Sequence, residues 1–281
     1  MKIKITADST CDLSPALIEK YNVAITPLSV QIGESSLKDG KDITAQEVVD
    51  AFEKQNILAK TAAVSIGEYL EIFKKYTEEG YNIIHINIGS NFSACHQNAT
   101  LAAKEIGNVT VVDSQNLSTG QGHIVVKAAE LAAMGKNSQE IEQELNELIP
   151  RIDASFLLDT LTYMHKGGRC STVTTLGANL LQLKPCIEVK NGKMSVGKKY
   201  RGELGKCYKQ YIKDRLNNIE EFEDHLVFIS HSPQEEDILP IAQKSVESYN
   251  YFKNIELTKA GCTITSHCGP KTLGVLCVRK K

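Results

Sequence analysis

The feature that most constrains the fold of this chain is an alternation of short apolar runs with amphipathic helical patterns. Residues 83–88 and 109–112 are rich in β-branched side chains, and segments with helical periodicity lie between and after them. The runs at residues 2–6 and 24–32 have the same strand-like character. Strands that alternate with helices favour a mostly parallel sheet flanked by helices. The first part of the chain is therefore predicted to have an α/β fold.

Capping sequences mark the helix starts in this part. Ser14 precedes a proline at the first helical position, and the segments that begin at Thr44 and Ser65 carry a glutamate three residues after the cap. Asn137 is predicted to cap a further helix. Residues 122–134 are apolar on nearly every face, which predicts a buried helix.

The sequence pattern changes after Pro150. Asn191-Gly192 separates two strand-like runs, and this dipeptide favours the tight turn of a β-hairpin. Other strands are predicted at residues 155–161, 226–230, 255–265 and 273–278, with helices at residues 202–216 and ending near Tyr249. We therefore predict an N-terminal α/β domain over residues 1–152 and a C-terminal α+β domain with antiparallel strands over residues 153–281.

Charge and hydropathy exclude several classes of protein. The formal net charge of −2 argues against a general nucleic-acid binder or a polybasic membrane anchor. No run approaches the roughly 20 apolar residues of a membrane span, and the N-terminal sequence lacks the apolar core of a signal peptide. The protein is therefore expected in the cytoplasm.

Motifs for metals and nucleotides are also missing from the sequence. The eight cysteines form no C-x-x-C pair, so they are expected to be free thiols in a reducing compartment. Cys95, His96, His267 and Cys268 are residue types that bind zinc, but structural zinc sites usually use closely spaced ligand pairs. The chain has neither G-x-G-x-x-G nor G-x-x-x-x-G-K-[ST]. No metal and no cofactor is predicted.

Polar residues follow the first predicted strand, in the sequence T-A-D-S-T at residues 6–10. Asp8 and Ser9 have two interpretations. Their side chains either satisfy backbone groups of the loop or line a cleft at the carboxyl end of the sheet, where open α/β folds bind ligands.

Ser93 lies where a predicted strand turns into a predicted helix, and its hydroxyl has three interpretations. It is the nucleophile of a serine esterase or thioesterase, although the sequence N-F-S-A-C at residues 91–95 lacks both glycines of G-x-S-x-G. It caps the following helix and has only a structural role. It donates to a carboxylate bound near the helix N-terminus. Thr61 and Ser65, ahead of another helix, can present hydroxyls in the same way.

Two further motifs lie in the second half. His267, next to Gly269-Pro270, is predicted at the end of a strand, with either a structural or a ligand-binding role. The glycine pair in Lys166-Gly167-Gly168-Arg169 indicates a turn. Arg169 there either complements a helix C-terminus or is presented to a phosphate or an acidic partner.

In their order and spacing, these motifs resemble the DegV family. The similarity spans the chain, through T-A-D-S-T-C-D-L at residues 6–13 and the segments 61–65, 86–99, 112–114, 166–169 and 267–270. The resemblance implies a two-domain fatty-acid carrier with an apolar ligand tunnel between its domains. It also implies that a separate ATP-dependent kinase subunit phosphorylates the bound fatty acid, such as palmitate or oleate, and that membrane contact is at most transient.

The resemblance also assigns roles to individual residues. It places Thr61 and Ser93 on the carboxylate of the fatty acid, with His267 beside them, and it implies no catalytic residue. It places Arg169, and with weaker support Arg201, at the face that meets the kinase subunit. The chain departs from the family where T-S-Q-P-S becomes T-A-A-V-S at residues 61–65, where S-G-T becomes S-A-C at residues 93–95, and where G-P-G becomes G-P-K at residues 269–271.

Overall fold

The fold is that of a computed structural model, which describes residues 2–169, 183–233 and 239–281. The strands are β1 Lys2–Asp8, β2 Ala24–Thr26, β3 Ser29–Ile32, β4 Ser35–Lys38, β5 Lys60–Ala62, β6 Tyr81–Asn87, β7 Val109–Asp113, β8 Ile152–Leu157, β9 Leu183–Lys190, β10 Lys193–Arg201, β11 Leu226–His231, β12 Asn254–Lys259 and β13 Leu273–Val278. The helices are α1 Pro15–Lys20, α2 Ala45–Gln55, α3 Ile66–Glu78, α4 Cys95–Ile106, α5 Thr119–Ala133, α6 Ser138–Leu148, α7 Thr162–Gly167, α8 Leu204–Arg215, α9 Leu239–Glu247 and α10 Cys262–Cys268.

The first sheet has the order β2-β1-β6-β7, and all of its strands are parallel. Helices α3 and α4 pack on each other, while α5 packs against β1 and β6. Side chains of β6 from Ile83 to Asn87 are buried, as expected for a strand covered on both faces. This arrangement confirms the predicted α/β organisation of the N-terminal part.

The second sheet has the order β10-β9-β8-β13-β11-β12, and only the β11–β12 pair in it is parallel. It confirms the predicted antiparallel character of the C-terminal part. A small antiparallel sheet, β4-β3-β5, lies beside α2 and α10. The largest apolar cluster joins residues of the first sheet, such as Ile84, to residues of the second, such as Phe156 and Leu276. Because this core is shared, the division into two domains near residue 152 stays a prediction.

Most local predictions are confirmed. Ser14 accepts a hydrogen bond from a backbone N–H of α1, and capping boxes begin α2, α3 and α6. Helix α5 is buried along nearly its whole length. The hairpin turn has Asn191 at φ 50° and Gly192 at φ 69°, as a type I′ turn requires. Among the described helices, none combines the length and apolar character needed to cross a bilayer.

Three predicted strands have the wrong bounds. The strand predicted over residues 155–161 is β8, which begins at Ile152 and ends at Leu157. Residues 24–32 do not form one strand, because Pro27 has no N–H to donate and the chain leaves the first sheet as β2 to enter the small sheet as β3. The strand predicted over residues 255–265 ends at Lys259, and the next segment is helix α10. His267 therefore lies in the last turn of a helix, not at the end of a strand.

Candidate functional site

A cavity of about 220 Å³ lies between elements from both halves of the chain. Its walls come from the loop after β6, strand β5, helix α7, strand β10 and helix α10. Most of the lining is apolar and includes Leu28, Ile88, Phe92, Leu117, Met164 and Ile264. The polar lining consists of Thr61, Ser93, Arg169, Thr263 and His267. Four of the five residues singled out from the sequence are thus in one place, and Arg201 is not among them.

Thr61 and His267 form the clearest polar contact in the cavity. Thr61 lies on β5, which pairs with β3, and its Oγ1 is 2.8 Å from Nε2 of His267. The two residues are 206 positions apart in the sequence. Their contact connects the small sheet of the N-terminal half to helix α10 of the C-terminal half.

The imidazole of His267 is neutral at physiological pH. Burial lowers its pKa to about 4, and the positive charge of Arg169 acts in the same direction. Its Nδ1 is buried and has no hydrogen-bond partner among the residues that the structure describes. An unpaired N–H is more costly than an unpaired lone pair, so the proton is placed on Nε2, which then donates to Thr61. The Thr61 hydroxyl is left free to donate its own hydrogen to a ligand.

The two glycines at residues 167 and 168 are required for different reasons. The second glycine, Gly168, adopts φ 66° and ends α7, as predicted for a turn. Gly167 is needed for another reason: a Cβ atom there would overlap Nδ1 of His267. Sequence analysis missed this role because nothing local indicates that an imidazole packs against that backbone.

Ser93 lines the same cavity but does not cap α4 in the predicted way. The N-cap position is Ala94, whose side chain makes no capping bond. The Ser93 Oγ accepts the N–H of Cys95 at 3.3 Å and donates to the Cys95 Sγ at 3.2 Å. The N-cap interpretation is therefore wrong by one residue, and the hydroxyl remains close to the cavity.

The contacts of Ser93 do not resemble those of an activated nucleophile. Within the described part of the chain, its hydroxyl is hydrogen-bonded only to Cys95, and no histidine nitrogen is in reach. His267 is engaged with Thr61 instead. A serine nucleophile needs an adjacent base to remove its proton. The arrangement favours a hydroxyl that forms hydrogen bonds over one that attacks a substrate.

Asp8 and Ser9 stay outside the cavity and hold the surrounding loops. The buried carboxylate of Asp8 accepts hydrogen bonds from Tyr69 at 2.7 Å, Asn87 at 3.1 Å and the N–H of Ile88 at 3.0 Å. Ser9 accepts the N–H of Leu28 at 3.2 Å. Of the two interpretations from the sequence, the structural one agrees with these contacts. Asp8 thereby fixes the start of the loop that leads to Ser93.

The two arginines occupy different positions. Arg169 is exposed at the edge of the cavity, where its Nη1 donates to the carbonyl of Gly167 at 2.7 Å. Among the described lining residues it is the only one with a permanent charge. Arg201 ends β10 and is exposed outside the cavity.

The apolar space continues beyond the first cavity. A second cavity of about 30 Å³ shares Leu117, Ile264 and Cys268 with the first and reaches the inner face of the second sheet at Phe156 and Leu276. Across residues 2–169, 183–233 and 239–281, no three histidine, cysteine or acidic side chains come close enough to hold a metal ion.

Comparisons with known proteins agree with this architecture. The sequence profile of the family described as uncharacterised protein, DegV family, matches residues 2–280. A DegV domain-containing protein of Clostridium acetobutylicum is 36% identical, and the match covers 99% of both chains. Among solved structures, a DegV family protein from Thermus thermophilus, described by its fatty acid binding, has 27% identity, a TM-score of 0.91 and full coverage of both chains.

A stearic acid-binding protein from Eubacterium ventriosum has 26% identity and a TM-score of 0.88, over 100% of this chain and 99% of its own. The matches to the profile and to the Clostridium protein extend over almost the whole length and include every element that lines the cavity. This chain belongs to the DegV family.

Proposed function

We propose that this protein binds a long-chain fatty acid, with the carboxylate at Thr61, Ser93 and His267 and the tail in the apolar cavity. The observation that carries the proposal is that these three polar side chains line one cavity whose walls are mostly apolar. Structural relatives described as fatty acid binding proteins support it. The proposal assigns no catalytic residue to the chain.

The polar groups match what a carboxylate needs. A carboxylate removed from water is costly unless donors surround it. The hydroxyls of Thr61 and Ser93 are donors, and the neutral His267 orients Thr61 so that its hydrogen points away from the imidazole. Arg169 supplies the positive charge at the edge.

The affinity would come from the tail. Each methylene transferred from water into an apolar site contributes about 0.8 kcal/mol, so a chain of about sixteen carbons has a large driving force even after the loss of its freedom is subtracted. The second cavity beyond Leu117 and Ile264 extends the apolar path along which the tail would lie.

The proposal includes presentation of the bound acid to a separate ATP-dependent kinase subunit in the cytoplasm. Arg169 is exposed beside the proposed carboxylate site, so a partner that contacts this residue would lie next to the head group. Arg201 is exposed on the edge strand β10 and would add a second contact. A guanidinium suits this role because it pairs with carboxylates and phosphates in a fixed geometry.

Native mass spectrometry tests the proposal. Protein purified without detergent is delipidated, mixed with palmitate or oleate, and weighed intact. We expect one bound fatty acid per chain, and much lower occupancy for Thr61→Ala. If neither acid binds the wild-type protein, fatty-acid binding is wrong for this chain.

A further inference from the structure

Helix α10 forms one wall of the cavity and is too short to hold its own geometry. It has seven residues, of which Thr263, Ile264, His267 and Cys268 line the cavity. Helices of this length are not stable alone, because nucleation costs more than so few hydrogen bonds return. Contacts from elsewhere must therefore fix the position of His267.

Those contacts come from two buried aspartates of the N-terminal half, of which Asp12 has its pKa raised to about 8 by burial. Asp39 accepts the N–H of Cys262 at 2.7 Å and the N–H of Thr263 at 3.1 Å, one on each oxygen. Asp12 accepts the N–H of Gly261 at 2.8 Å. Three successive amides at the start of α10 are thus held by residues more than two hundred positions away.

The two aspartate side chains are themselves fixed in place. Ser9 donates to Asp39 at 3.1 Å, and Ser118 donates to Asp12 at 2.6 Å. Both Asp12, at φ 51°, and Ser118, at φ 50°, have a positive φ, which non-glycine residues rarely adopt. Gly261 fits between the pair, because a Cβ atom there would be 3.1 Å from one oxygen of each aspartate.

We propose that Asp39, with Asp12, is a positioning residue of the proposed head-group site: the two aspartate side chains hold the first turn of α10 so that His267, in its last turn, meets Thr61. The expected effect on ligand binding rests on the proposed function. The expected effect on the position of His267 rests on the contacts alone. The N-terminal half thereby contacts α10 at both ends, through the aspartates and through Thr61.

The main test is Asp39→Asn, which keeps the size of the side chain but leaves one carbonyl oxygen for two backbone amides. Palmitate affinity is measured by isothermal titration calorimetry in four proteins: wild type, Asp39→Asn, Thr61→Ala and the double variant. We expect Asp39→Asn to weaken binding about tenfold in the wild-type background and much less in the Thr61→Ala background. A merely structural role would weaken binding equally in both, and that result would overturn the proposal.

A second readout needs no ligand. The ring nitrogens of His267 are followed by NMR in ligand-free protein with ¹⁵N-labelled histidine. We expect Asp39→Asn to shift the Nε2 resonance in the direction that Thr61→Ala shifts it, since both remove the Thr61 contact. Unchanged His267 resonances in Asp39→Asn would contradict the inference. If palmitate fails to bind the wild-type protein, the proposed function is wrong, and the NMR result still decides the role of Asp39.

Asp42 provides the matched control. It is an exposed aspartate three residues away that accepts the N–H of Lys38 at 2.9 Å. Asp42→Asn is expected to leave both palmitate affinity and the His267 resonances unchanged. Should Asp39→Asn fail to fold, Asp12→Gly replaces it, because glycine suits the positive φ of this position and removes the acceptor of the Gly261 N–H. A smaller shift of the His267 Nε2 resonance is then expected. The absence of any shift would refute the proposal.

Discussion

The hydroxyl of Ser93 is expected to have a large effect on fatty-acid affinity. Its hydroxyl lies at the cavity, while the same oxygen is anchored by the N–H of Cys95. Burial raises the pKa of the Cys95 thiol to about 12, so this neighbour stays neutral and brings no repelling charge to the site. The hydroxyl can therefore rotate toward an anion at little cost.

We predict that Ser93→Ala weakens fatty-acid binding by about 1.5–3 kcal/mol, roughly 10- to 100-fold in Kd, because a hydrogen bond to a charged group is lost. Titration calorimetry with oleate measures the change. Ser90→Ala is the control, since Ser90 is exposed and bonds to Asp113 at 2.6 Å. Equal affinities of Ser93→Ala and wild type would remove Ser93 from the site.

Gly167→Ala tests the packing of His267. Alanine is the better helix former, so helix propensity alone predicts a slightly more stable α7. The added Cβ atom meets the imidazole instead, and we expect His267 to move away from Thr61 with a loss of fatty-acid affinity of about tenfold.

Gly67→Ala in α3 is the matched control for that substitution. Nothing lies within 4 Å of the Cβ position there, and the change should leave affinity unaltered. If Gly167→Ala binds fatty acid with wild-type affinity, the close approach of Gly167 to His267 does not affect binding.

At the scale of elements, α7 and α10 pack on each other and place two proposed functional residues close together. Helix α10 contributes His267 to the cavity, at the proposed head-group site, and the turn after α7 presents Arg169 at its edge. The two helices are short, and each is oriented by contacts made outside it. This pairing places the proposed partner surface beside the proposed ligand.

We predict that Arg169→Ala leaves fatty-acid content unchanged and lowers turnover by the kinase subunit, because the guanidinium is exposed at the edge of the cavity, whereas the proposed carboxylate donors are Thr61 and Ser93. Lipid content is measured by mass spectrometry and turnover by acyl-phosphate formation. Arg201→Ala should lower turnover less. Reduced lipid loading in Arg169→Ala would instead place this residue on the carboxylate.

At the scale of the whole molecule, the shared core contains a buried histidine that links stability to pH. His123 on α5 donates from Nε2 to the carbonyl of Leu276 on β13 at 2.9 Å. Burial lowers its pKa to about 4. The unfolded chain has an ordinary histidine pKa of about 6.5, so it binds the proton more readily than the native protein does. Stability is therefore complete above about pH 6.5 and decreases as the pH falls through about 4.

His123→Gln is predicted to flatten this acid dependence by on the order of 3 kcal/mol between pH 7 and pH 4, since glutamine does not titrate. Urea denaturation at several pH values gives the free energy of unfolding. His225→Gln serves as the control, because the His225 side chain is 57% exposed. The same acid dependence in His123→Gln and wild type would contradict the assignment.

Local features were predicted well because they depend on residues within one helical turn or one hairpin. The capping boxes at Thr44 and Ser65, the cap at Asn137 and the Asn191-Gly192 turn are of this kind. The error at residues 255–265 has the opposite origin. Its alternating apolar residues suit a strand, yet the amides of residues 261–263 find their acceptors on Asp12 and Asp39.

The sequence by itself determined the fold class, most helix starts, the family and the identities of the polar residues near the cavity. Only the tertiary structure decided that Thr61 meets His267, that Gly167 must lack a side chain and that two distant aspartates hold α10. The physical reason is the distance along the chain over which each interaction acts. Periodicity and capping act over a few residues, whereas a ligand site depends on how buried groups from distant segments satisfy one another once the core has packed.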